Sequence, residues 1–96
     1  MDREELLRSP DYHMAGFQME LYRMVFHYMR DNRLTEPEMA KYLGISETFM
    51  TKLMNAEYRP SLYQYISIIS KCGYAPLLGI VKVEDYDKEI QERYVV

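Results

Sequence analysis

Between Thr35 and Ser46 the chain starts a helix, stops it and starts another, and so short an interval admits only a tight corner between two helices. Thr35-Glu36-Pro37-Glu38 is a capping box: Thr35 can accept from the Glu38 amide while the Glu38 carboxylate reaches back, with proline inside the first turn. Gly44 follows Leu43, where the turn demands a positive φ, and Ser46 caps a helix that runs to about Asn55. Met39, Ala40, Leu43, Ile45, Met50 and Leu53 are the apolar positions of this corner, and Ala40 is small enough for close helix contact.

The flanking segments extend the helical pattern. Ser9-Pro10 opens a long first helix over about residues 10–32, with Met14, Phe17, Leu21, Met24, Val25 and Tyr28 on one face. At 1.5 Å per residue it is roughly 33 Å long, more than a small bundle needs, so its first turns are expected to pack on a partner. Arg59-Pro60 breaks the chain, and Ser61-Leu62-Tyr63-Gln64 is a second capping box; its helix is expected to bury Leu62, Ile66 and Ile69 and to end at Gly73. After Pro76 the aliphatic run Leu77 to Val83 reads as a strand. A strand needs a partner, and two are available: Arg93-Tyr94-Val95-Val96 folding back, or the same strand of a second subunit, which is the favoured expectation. Residues 1–8 carry mixed charge and are expected to fray. The expectation is an all-α single domain over 1–96, with four main helices, a core unit at 34–73 and a C-terminal β-strand at about 77–83.

Charge and composition narrow the function classes. With 96 residues there is room for one hydrophobic core. A formal net charge of -3 argues against a protein that coats nucleic acid without sequence preference, because such affinity comes from neutralising phosphates. Cys72 is the only cysteine, which excludes an internal disulfide and reads as cytoplasmic, and no membrane span or signal peptide is legible. His13 and His27 lack a cysteine or carboxylate at metal-ligand spacing, and no Gly-rich phosphate loop is present, so neither a metal, a cofactor nor an enzyme is expected.

The segment LTEPEMAKYLGISETFMTKLMNAEYRPSL resembles the helix-turn-helix of the Cro and lambda-repressor-like superfamily, also called the XRE family, over residues 34–73. The resemblance rests on Ala40, on Gly44 four residues later, on Ser46, on Asn55 closing the second helix, and on Arg59-Pro60-Ser61-Leu62 leading into the next one. It implies a lambda-repressor-like bundle and a sequence-specific transcriptional regulator, a dimeric repressor, whose second helix lies in the major groove of double-stranded DNA. The implied DNA-binding residues are Ser46 on phosphate, Glu47 and Thr48 at base edges, Phe49 against a thymine methyl, Lys52 toward guanine, and Asn55, Arg59 and Glu36 around them. Arg23, Arg30 and Arg33 are further candidates for phosphate. Family members often carry glutamine where this chain has Glu36 and Glu47, so the acids are a departure. Two alternatives stay open: an antitoxin-like protein whose Tyr- and Met-rich surface masks a toxin partner, and a protein-interaction module that has lost DNA binding.

Overall fold

In the computed structural model, which describes residues 2–77 and 79–94, the regular structure is helical. The helices are α1 (Arg3–Leu7), α2 (Pro10–Asn32), α3 (Glu36–Leu43), α4 (Glu47–Met54), α5 (Leu62–Lys71) and α6 (Tyr86–Tyr94), with a 3-10 turn at Val83–Asp85. Five of the starts are set by a short polar side chain that satisfies an orphan amide, beginning with Asp2, which accepts from Glu5 at 2.8 Å. Ser9 accepts from Tyr12, and Ser46 accepts from Phe49 at 3.1 Å. Thr35 with Glu38 and Ser61 with Gln64 form complete capping boxes.

The stops of α2 to α5 share one geometry. In each, the amide that follows a left-handed residue bonds back across the last turn: Leu34 to Met29, Ile45 to Ala40, Glu57 to Lys52 and Tyr74 to Ile69, at 2.7–3.1 Å. This is the Schellman arrangement, and it requires a left-handed residue just before the returning amide. Those residues are Arg33, Gly44, Ala56 and Gly73, with φ of 55°, 72°, 57° and 86°. Two of the four are glycine, so Arg33 and Ala56 carry a backbone strain that the tertiary structure imposes.

The core is built from the second half of α2 and the corner that follows it. Leu21, Val25 and Met29 pack with Met39, Ala40, Leu43, Met50, Leu53, Tyr58, Ile68 and Cys72. α3 packs on α4, and α2 lies against both α4 and α5. A polar latch locks α3 to α5: Lys71 Nζ donates to the Leu43 carbonyl at 3.1 Å, and the Tyr42 hydroxyl donates to the Lys71 carbonyl at 2.7 Å. The lysine meets the negative end of α3, so it serves as a helix cap.

Four expectations need correction. Residues 2–8 form α1 and its caps rather than a frayed end: α1 is capped by Asp2, Leu7 is buried, and His13 Nε2 donates to the Leu7 carbonyl at 2.7 Å; Met1 lies outside the described residues. Arg3 on α1 pairs with Asp87 on α6 at 2.6 Å, and Tyr86 meets the His13 ring edge to face, so the two terminal segments close on each other. The C-terminal β-strand at about 77–83 is not formed among the described residues: 79–82 have no regular structure, and Val83 begins the 3-10 turn. Leu78 lies outside the described residues. The alternative fold-back over Arg93 to Val96 is not seen at Arg93 and Tyr94, which are taken into α6 in a segment, YDKEIQERY, rich in helix formers; Val95 and Val96 lie outside the described residues. Ile80 is fully exposed. On α5, Leu62 is 62% exposed while Ile68, which the sequence reading left out, is buried beside Ile69. Phe17 is also half-exposed, so the buried part of α2 begins only at Leu21.

Candidate nucleic-acid interface

Burying Met50 and Leu53 fixes which way α4 faces. The opposite side presents Thr48, Thr51, Lys52 and Asn55, all exposed, while Glu47, three residues before Met50, is exposed at the edge toward α3. Ser46 stands at the N-terminus of α4; its Oγ accepts from the Phe49 amide, which leaves the hydroxyl proton free to donate outward. Thr51 is the residue that sequence reasoning missed. It lies three residues after Thr48 and four before Asn55, so the helical spacing alone puts it on the same face. Its hydroxyl donates to the Glu47 carbonyl at 3.1 Å.

Phe49 is 44% exposed and lies at the edge of this face. Its other side rests on Tyr58, with ring centroids 5.5 Å apart, and Lys52 Nζ lies 5.9 Å from the Phe49 centroid, at the outer limit of a cation–π contact. Tyr58 is buried, and its hydroxyl has no hydrogen-bond partner. Burial pushes the phenol up from its ordinary pKa, so the tyrosine acts here as an apolar support beneath Phe49. Gln18 on α2 donates to the Tyr58 carbonyl at 3.1 Å and ties the loop after α4 to the long helix.

The start of α4 is acidic, whereas its end mixes both signs, with the exposed Glu57 between Lys52 and Arg59. At its start, Glu36 and Glu47 come together around a shallow concavity of about 110 Å³ floored by Pro37, Met50 and Thr51. Both carboxylates sit in the first turn of a helix, where the macrodipole favours negative charge. Toward its end lie Lys52 and Arg59, the latter 3.9 Å from Asp11 in an exposed and therefore weak ion pair. Of the cations in the corner module, Lys71 is held in place by α3 carbonyls, whereas Lys41, Lys52 and Arg59 are exposed without such a tie. On α2, Arg30 lies 3.4 Å from Asp31, Arg33 is the left-handed cap, and Arg23 is exposed.

The remaining reactive groups lie away from this face. Cys72 is in the core, and burial pushes its thiol up to about 11, so at neutral pH it is a small apolar side chain. His13 is engaged by the Leu7 carbonyl, and among the described residues no three His, Cys, Asp or Glu side chains gather as metal ligands would. No helix among them is long and apolar enough to cross a membrane. No model of a known protein family matches the chain, and neither the curated proteins nor the solved structures contain a match.

Proposed function

We propose that the chain is a lambda-repressor-like DNA-binding regulator that reads an operator with the exposed face of α4 and acts as a dimeric repressor in the cytoplasm. The observation that carries the reading is the corner itself. A capped eight-residue helix, a left-handed Gly44 and a second capped eight-residue helix hold Thr48, Thr51, Lys52 and Asn55 outward on a rigid support. Donors and acceptors of this kind suit base edges in the major groove, and Ser46 suits a phosphate. The acids at the start of α4 weaken non-specific attraction, so affinity depends on few contacts and on two copies binding together.

Selection of duplexes from a random pool, followed by titration of the selected site, tests this. Thr48→Ala and Lys52→Ala are each expected to weaken binding about tenfold or more, with little change for a non-selected duplex. Unchanged affinity in both variants removes the assignment.

A second, antitoxin-like reading is favoured by the apolar side chains left outside: Tyr63, Leu77 and Ile80 are each more than four-fifths exposed. It expects a small protein partner to co-purify with the chain, and its capture to survive Thr48→Ala and Lys52→Ala.

A further inference from the structure

α2 carries two apolar faces, and the core uses only one. Tyr12, Ala15, Met19, Tyr22, Phe26 and Met29 follow one another at spacings of three, four, three, four and three, the heptad pattern of a helix that pairs with another helix. This seam is rotated well away from the Leu21–Val25 face that meets α4 and α5. Ala15, Met19 and Phe26 are exposed, Tyr22 is half-buried, and only Met29 at the far end belongs to the core. Tyr22 and Phe26 stack at 5.9 Å, so the apolar knobs are ordered by each other.

Beside the first half of the seam is an open, mostly apolar groove of about 330 Å³, lined by Phe17, Met19 and Tyr86 over Ala15 and Gly16, with His13 and Glu20 as its polar members. Gly16 lies within α2, where glycine costs about 1 kcal/mol against alanine. Its φ is not left-handed, and a Cβ built on it would meet nothing within 4 Å, so no contact inside the chain requires it. The molecule therefore has a projecting Phe26 near one end of the seam and an unfilled concavity at Ala15-Gly16 near the other.

We infer that these are two halves of one self-complementary surface, and that a second copy of this chain packs its α2 antiparallel along the seam. A two-fold axis between Met19 and Tyr22 sets Met19 against Tyr22 of the other copy and Phe26 against Ala15 and Gly16, large side chain over small, and the symmetry fills both concavities at once. The area agrees with a reversible dimer. A 23-residue helix about 34 Å long and about 10 Å wide offers a footprint of roughly 350 Å² per copy, below the ~1,000 Å² total that marks a stable interface, so association is concentration-dependent. This surface gives the dimer of the proposed function its contact and rests on that reading only for the two-fold; it requires no DNA.

Sedimentation equilibrium of the full chain is the test. The wild type is expected to pass from monomer to dimer as concentration rises, and Met19→Glu with Phe26→Glu to remain monomeric with unchanged helical circular dichroism. An Ala15→Cys, Phe26→Cys double variant in a Cys72→Ala background is expected to form a covalent dimer on mild oxidation. A wild type that is monomeric at about 0.5 mM overturns the inference. So does an undiminished dimer in the glutamate variants, or a double-cysteine chain that stays monomeric on oxidation. Failure of the DNA reading is separable, because Thr48→Ala and Lys52→Ala chains would then dimerise normally while DNA binding is unchanged or absent throughout.

Discussion

The two halves of α2 are held differently: the second is buried in the core, whereas the first meets the corner module at exposed or half-buried contacts, Gln18 with the Tyr58 carbonyl, Phe17 beside Tyr65 and Asp11 near Arg59. From Leu21 onward the helix contributes Leu21, Val25 and Met29 to a core shared with α3, α4, α5 and Tyr58. Before Leu21 it is covered on one side by the terminal segments, through the exposed Arg3–Asp87 pair, the His13 bond to Leu7 and the edge contact with Tyr86, and Leu7 is the one buried apolar side chain among the described residues there. Burial of apolar area dominates folding free energy, whereas exposed ion pairs contribute little. The corner module should therefore unfold as a unit with the second half of α2, while the terminal clasp opens locally at much lower cost.

The largest expected effect tests the first part of that contrast. Leu53→Ala or Leu21→Ala empties a fully enclosed site and should cost about 2–5 kcal/mol in thermal or chemical denaturation, a large share of a small domain's stability. A loss below about 1 kcal/mol would mean that the core does not carry the module. Next is Gly44→Ala, which forces a Cβ into a left-handed residue with Lys71 Nζ 3.7 Å away, and should cost about 1–2 kcal/mol. Ala56→Gly relieves the same strain at the end of α4 and should stabilise by about 0.5–1 kcal/mol; a destabilisation would show that the Schellman turn there is not strained.

The smallest effect concerns the clasp. The Arg3 guanidinium, chiefly by its hydrogen bond, holds the Asp87 carboxyl below the usual carboxylate range. A carboxyl lowered in the folded state contributes stability that is present above its unfolded pKa and lost as pH falls through the folded value. Amide exchange in α1 should therefore quicken in acid below the ordinary carboxylate range, and Asp87→Asn should bring that faster exchange to neutral pH while the amides of α4 stay protected.

Much of the corner was legible because its signals are local. Thr35, Ser46 and Ser61 mark starts through side-chain oxygens, and Gly44 and Gly73 mark stops through a conformation that glycine adopts freely. Arg33 and Ala56 take the same left-handed conformation without any sequence sign of it, since there the packing of the following segment decides. The clasp was invisible for a similar reason: Arg3 and Asp87 are far apart in the chain, and no periodicity announces a pair of that kind. The aliphatic run 77–83 misled because strand propensity reports a fit to a pleated surface, and no neighbouring strand forms among the described residues. At the candidate site, the outward face of α4 followed from Met50 and Leu53, whereas the clustering of Glu36 with Glu47 and the seating of Phe49 on Tyr58 depend on how α3, α4 and the following loop meet.

On the proposed function the face that would meet DNA belongs to the rigid region, and the terminal clasp takes no part in it. Mapping amide chemical shifts of the full chain while a selected duplex is added tests this most directly. With the chain concentrated enough to be dimeric before duplex is added, the account predicts that the perturbed amides concentrate between Ser46 and Asn55, with those of α1 and α6 silent. Perturbations confined to α1 and α6, or none at saturating duplex, would contradict it.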